Sequence, residues 1–358
     1  MSLFSPLVQR GLTLKNRIVV SPMCQYSAEE GRPTPWHQVH LGSRAIGGAA
    51  AVIAEATAVQ AQGRISPGDT GLWNDAQAQA WAPIARFVRD AGAVAGVQLA
   101  HAGRKASTAR PWEGGDALDV EQGGWRPLAA PSALAFDDNS IVPEALDAAG
   151  IDALVLAFAA AARRALDAGF ELIEIHGAHG YLLHEFLSPI SNRRDDDYGG
   201  SFANRIRLLK RVIAAVRGVW PERLPLWLRI SATDWAEPDR DGDSWDLEQS
   251  CALVDAIKTD GVDLIDVSSG GSLPKAKIPV GAGFQTPFAA EIRRRCGVAT
   301  GAVGMITAPA QADHLIRTQQ ADVTLLAREL LRDPYWPRRA ALELRQKIDA
   351  PPQYQRAW

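Results

Sequence analysis

Eight short runs of β-branched or apolar residues recur along this 358-residue chain, each followed by Gly, Ser or His and then by a segment of helical period. The first four are RIVVSPM (Arg17 to Met23), AAVIAEAT (Ala50 to Thr57), VAGVQLAH (Val94 to His101) and FELIEIH (Phe170 to His176). The second four are PLWLRIS (Pro225 to Ser231), DLIDVSS (Asp263 to Ser269), VATGAVG (Val298 to Gly304) and DVTLLAR (Asp322 to Arg328). Between them lie helix candidates, clearest in Ile151 to Ala168, where Ile151, Leu154, Val155, Phe158, Ala162, Ala165 and Leu166 share one stripe and Gly169 supplies the stop. Strands that alternate with helices pair in parallel. Eight such units predict an α/β fold, a (β/α)8 or TIM barrel, because closure removes the sheet edges and helices cover the outer face. A doubly wound open sheet is the alternative, but no G-x-G-x-x-G follows the first strand.

Barrels of this kind run as single domains to this length, so residues 1–358 are expected to form one domain. Three stretches fall outside the repeating unit. LVQRGLTLKN (Leu7 to Asn16) reads as an N-terminal hairpin with Gly11 in its turn, able to cap the barrel floor. A long loop after strand 3, from Gly103 to about Pro143, carries several Trp, Pro and Gly residues and reads as a cover. The tail, Ala350 to Trp358, is extended by its two prolines and needs something to dock on.

Composition narrows the partners. A net charge of −3 gives no basic footprint for nucleic acid or an anionic membrane surface. Apolar runs such as Ala153 to Ala162 stop far short of the roughly 18 residues that span a bilayer, and the start lacks a basic-then-apolar signal pattern. A cytoplasmic protein is expected. Cys24, Cys251 and Cys296 are odd in number and far apart, so neither a disulfide framework nor a metal site is encoded by them.

Barrel chemistry sits at the C-terminal strand ends, where this chain places Cys24, Tyr26, Ala56, Gln98, His101, His176, His179, Arg229, Ser268 to Gly271, Gly304 and Arg328. Donors abound and carboxylates are scarce, which disfavours a paired-carboxylate hydrolase and favours a redox or anion-binding site. His176 and His179 could be ordinary polar strand-end residues, metal ligands or paired donors. H-E-x-x-H is absent, and no acidic or cysteine ligand with suitable spacing accompanies them. Arg229 interrupts LWLRI and is expected to point into the barrel, where a guanidinium must be paired or face an anion; Glu174, on the neighbouring strand, is the expected partner. The glycines of GAVG (Gly301 to Gly304) and the segment beginning at Ala327 suggest a phosphate-binding end, or simply turns.

The motifs NRIVVSPMCQYSA (Asn16 to Ala28), WHQVHLGSRAIGGAA (Trp36 to Ala50), EATAV (Glu55 to Val59), QLAHAGRKA (Gln98 to Ala106), HGAHGYLLHEFLSP (His176 to Pro189), NRRDDDYGGSFANR (Asn192 to Arg205) and QYQRAW (Gln353 to Trp358) go further. With them the chain resembles the Old Yellow Enzyme family of FMN-dependent ene-reductases along essentially its whole length. Within that family it is most similar to the bacterial xenobiotic-reductase and thermophilic-like branch.

The resemblance implies non-covalent FMN, reduced by NADPH or NADH, that delivers hydride to activated alkenes such as enones, maleimides and nitroalkenes. It places Pro22, Met23, Cys24, Ala56, Gln98 and Arg229 at the isoalloxazine ring and Gly304 and Arg328 at the phosphate. It gives the substrate oxygen to His176 and His179, the proton to Tyr181, and the pocket wall to Cys24 and Tyr26. No metal is implied. Ala327-Arg328 stands where the family often has Gly-Arg. The tail, with Arg356 and Trp358, would reach the active site of a neighbouring subunit in a homodimer or homotetramer. A non-catalytic flavin- or anion-binding barrel and a metal-dependent lyase or aldolase are the other readings of such strand ends. A dienoyl reductase with an iron–sulfur cluster has no counterpart here for its extra domain and cysteines.

Overall fold

The computed structural model describes residues 1–357. The chain begins with an antiparallel hairpin, β1 (Leu7–Gln9) and β2 (Leu12–Leu14). Its turn departs from expectation in one respect. The left-handed conformation falls on Arg10 (φ 50°), whereas Gly11 is needed for close approach, since a Cβ there would stand 3.0 Å from the Arg223 carbonyl oxygen.

All eight expected runs form strands. They are β3 (Ile18–Val20), β4 (Ala51–Ala58) and β5 (Val94–Ala100), then, after a short parallel pair β6 (Ala129–Ala130) and β7 (Glu144–Ala145), β8 (Leu172–Gly177), β9 (Leu226–Ser231), β10 (Leu264–Ser268), β11 (Thr300–Val303) and β12 (Val323–Leu326). They pair in parallel in chain order, and β12 pairs back onto β3 to close the barrel. The cover between β5 and β8 is mostly irregular chain with single 3-10 turns, stitched by the β6–β7 pair.

The helices between the strands include α1 (Pro35–Ile46), α2 (Asp75–Asp90), α3 (Ala148–Asp167) and α4 (Leu182–Leu187). α3 starts one turn earlier than its apolar stripe, because Asp147 caps it by accepting the Gly150 N–H at 2.7 Å. Its expected stripe is buried except for Leu166, which is half-buried, and Gly169 ends it at φ 86°. Among the described residues no helix is long and apolar enough to cross a membrane.

Inward-pointing residues alternate along each strand and stack in layers. Leu172, Trp227 and Leu264 form an apolar floor with Val94 and Val323, closed from below by Leu7, Leu12 and Leu14 of the hairpin. Gln9 Oε1 accepts from Trp227 Nε1 at 2.8 Å, so the one polar atom of this layer is satisfied. One step higher on the same strands come Glu174, Arg229 and Asp266, and one step higher again His176, Ser231 and Ser268. The barrel is thus apolar below, charged in the middle and rich in donors at its mouth. Trp227 is fully buried, so Trp227→Ala is expected to cost about 3 to 5 kcal/mol through lost transfer energy and a cavity, measured by denaturant unfolding.

Candidate active site

The middle layer corrects one expectation. Arg229 pairs with Asp266, Nε to Oδ2 at 3.2 Å, and not with Glu174; its Nη1 donates to Ser21 Oγ at 3.1 Å. The reason is register. Arg229 lies directly beside both Asp266 and His176, whereas Glu174 lies beside Gln98, whose Nε2 donates to Glu174 Oε1 at 2.7 Å. Burial, then the neighbouring Asp266, pushes Glu174 well above the usual carboxylate range. Glu174 therefore keeps its proton and shares it with Asp266, leaving one negative charge to match one guanidinium. The Nε–H of Arg229 points off the line to its carboxylate, and neither atom has a better partner among the described residues.

Above this layer the chain leaves β8 in a tight turn. His179 adopts φ 60° and Gly180 φ 69°, and a Cβ on Gly180 would stand 2.1 Å from the Gly271 oxygen. His176 Nδ1 accepts from the Ala178 N–H at 3.3 Å, which puts the proton of a neutral imidazole on Nε2. His179 Nε2 lies 2.7 Å from Ser268 Oγ, and its backbone N–H donates to Ser231 Oγ at 2.9 Å. Lys105 Nζ holds the turn from outside, donating to the carbonyls of His179 (2.9 Å) and Gly271 (3.1 Å). The His176 ring meets the rings of His179 and Tyr181 edge-on, each with centroids 5.1 Å apart. The structure thus brings His176, His179 and Tyr181 together.

The charge state of this cluster follows from its surroundings. Burial, then the Arg229 cation, pulls both histidines well below their ordinary value, so both are neutral donors. Burial pushes the Tyr181 hydroxyl upward even though part of the ring stays accessible, keeping it protonated. Burial likewise raises the Cys24 thiol well above its usual range, so it is no thiolate nucleophile.

Pro22, Met23, Cys24 and Tyr26 follow β3 and are half-buried, with Tyr26 at φ 50°. A bulge in β4 fixes this loop: the register slips between Ala54 and Ala56 and turns Glu55 aside. Glu55 Oε2 then accepts the Gln25 N–H at 2.8 Å, while its Oε1 lies 3.0 Å from His37 Nε2 on α1. Ala56 is left facing Gln98 across the β4–β5 pair.

Gly304 ends β11 at φ 117°, and Arg328 follows the adjoining β12; Arg328 is exposed and has no side-chain partner among the described residues. Ala327, at a position often held by glycine, has φ −103° and ψ −100°. The tail lies at the other end of the barrel. Ala350 to Tyr354 border a cavity of about 930 Å³ together with Asn16, Gly48 and Gly92, which precede β3, β4 and β5. Arg356 is exposed, and Trp358 lies outside the described residues.

Sequence reasoning missed Asp266, Ser231, Glu55 and Lys105 as parts of this site. Asp266 carried a legible signal, a lone charge inside the apolar run LIDV. Among the described residues no three His, Cys, Asp or Glu side chains gather as a metal-holding group. The donor set suits a flat heteroaromatic ring with a polar edge. Gln98 and an incompletely bonded Arg229 offer donors at the centre, Pro22, Met23 and Ala56 offer apolar surface, and Gly304 allows close approach at the rim.

Residues 2–347 match the family described as NADH:flavin oxidoreductase / NADH oxidase. The chain is 49% identical to an NADPH dehydrogenase of Geobacillus sp. (strain WCH70), covering 99% of this chain and 98% of that one. It is 48% identical to an NADPH dehydrogenase of Listeria monocytogenes serovar 1/2a, covering 99% of each. An old yellow enzyme homologue from Zymomonas mobilis superposes with a TM-score of 0.78 at 27% identity, over 98% of this chain and 94% of that one. Morphinone reductase superposes at 0.80 and 25% identity, over 98% and 92%. On these matches and this barrel, the chain belongs to the NADH:flavin oxidoreductase / NADH oxidase family and is an FMN- and NAD(P)H-dependent ene-reductase of the Old Yellow Enzyme type.

Proposed function

We propose that the mouth residues divide the reaction as follows; the observation that carries the proposal is the pair of neutral imidazoles beside a protonated tyrosine above a buried guanidinium. FMN, when bound, supplies the hydride taken from NAD(P)H to the β-carbon of an enone, maleimide or nitroalkene. Pro22, Met23, Cys24, Ala56 and Gln98 hold the ring, Arg229 supplies a permanent cation beside its pyrimidine edge, and Gly304 and Arg328 hold the phosphate. His176, through Nε2–H, and His179 donate to the carbonyl or nitro oxygen, where negative charge grows as the β-carbon is attacked. Donors fixed beforehand need no reorganisation. Tyr181 then gives its hydroxyl proton to the α-carbon. Tyr26 lines the pocket, and Cys24 acts as a neutral thiol.

Residues 1–358 work as one FMN-binding unit in the cytoplasm, where three free thiols are at home. The copies form a homodimer or homotetramer in which Arg356 and Trp358 enter a neighbour's mouth. The tail's start at the floor of its own barrel supports this reading.

Four outcomes test it. The double variant His176→Ala/His179→Ala should slow flavin reoxidation by 2-cyclohexenone in stopped flow by at least about 10²-fold, the loss typical of one such donor. Tyr181→Phe should slow the same step by about 10²- to 10⁴-fold and leave reduction by NADPH nearly unchanged. If reoxidation survives the double loss, the donor assignment is wrong. Because both histidines are held below their ordinary 6.5, they stay neutral as pH falls through that value, and the reoxidation rate should show no acid limb centred there. Deleting 350–358 should alter both the oligomer mass seen by light scattering and the KM for the alkene; no change in either would defeat tail exchange.

A further inference from the structure

His184 and Asp234 take no part in the chemistry above, yet both are fully buried directly behind it. His184 lies in the first turn of α4, and its Nδ1 accepts the Gly180 N–H at 2.9 Å, with Ser272 Oγ 3.2 Å away. Its Nε2 lies 3.3 Å from Asp234 Oδ1. That contact is bent, but neither atom has another partner among the described residues. The second oxygen of Asp234 accepts from Ser188 Oγ at 2.6 Å and from the Trp245 N–H at 2.9 Å. Burial pushes Asp234 upward, but His184, Ser188 and Trp245 hold it below the usual carboxylate range.

Gly180 is the residue between His179 and Tyr181, so the setting of its peptide aims both side chains. Two successive left-handed residues, one of them not glycine, form a conformation that persists only when its surroundings impose it. We infer that His184 and Asp234 are a positioning pair: the carboxylate holds the imidazole proton on Nε2, so that Nδ1 presents a lone pair to Gly180 and fixes the turn that carries His179 and Tyr181. Neither residue touches substrate. The inference rests on the roles proposed for His179 and Tyr181.

The pair makes a directional prediction. In Asp234→Asn the amide oxygen stays with the two donors, Ser188 and Trp245, and the NH2 faces His184 Nε2. That nitrogen must then accept, and the proton moves to Nδ1, opposite another N–H. In 15N-imidazole NMR of the holoenzyme, His184 should carry its proton on Nε2, and on Nδ1 in Asp234→Asn. The Gly180 amide should exchange faster, and enone turnover should fall by about 10²-fold, the scale of a small misplacement of reacting groups, with flavin content kept. His184→Gln, which can accept from Gly180 and donate to Asp234, should stay within about tenfold of the parent while His184→Leu falls with Asp234→Asn. An unchanged tautomer in Asp234→Asn, or a glutamine variant as poor as the leucine one, overturns the inference. Should Asp234→Asn fail to fold, the glutamine and leucine pair decides alone. Failure of the underlying roles would show separately, as full turnover in Tyr181→Phe with the tautomer still on Nε2.

Discussion

A guanidinium shut inside a barrel is the constraint around which the remaining polar architecture is arranged. Arg229 is nearly inaccessible, and an unpaired charge there would cost several kcal/mol. Asp266 answers it from the next strand, and Glu174 keeps its proton so that the layer balances. Because this layer is settled internally, the groups above it feel one fixed positive end rather than a shifting set of charges. Burial first, and that positive end second, make the two histidines resist protonation, and neutrality is what leaves each with one N–H and one lone pair to be directed. His176 has its direction set by the Ala178 N–H.

How far the sequence could carry this varies with the kind of interaction. The eight strands were legible because each is an apolar run closed by small or polar residues, a local signal that needs no partner. The mouth residues were legible for the same reason, as strand ends, and the turn His176 to Tyr181 brought three of them together. What was not legible depends on register between strands. The choice between Asp266 and Glu174 as partner of Arg229 is a matter of which residue lies alongside, and no periodicity states that. The bulge at Glu55 is similar: EATAV reads as plain strand, yet one slipped residue turns a carboxylate out to tie down the Cys24 loop.

Capping and contact at a distance account for other differences. α3 begins before its apolar stripe because a cap is set by Asp147, which lies outside the periodic segment. Gly11 looked like a residue chosen for its backbone freedom, but the strain falls on Arg10, and the glycine serves the approach of Arg223, more than two hundred positions away. The tail's location beneath the strands is also a long-range fact. Its prolines said only that it would be extended.

The layering of the barrel has a consequence for how such a protein can change. Leu172, Trp227 and Leu264, with the hairpin beneath them, form a dry floor, while His176, Ser231 and Ser268 occupy the same strands at the opposite end. The free energy that holds the strands together and the groups that meet a ligand are therefore separated along the strand axis, with a charge-balanced layer between them. Replacements confined to the mouth leave the floor's packing untouched, so a lineage can drift widely in what it accepts while the scaffold endures. Such a scaffold is evolvable because its two tasks are carried by different residues of the same strands.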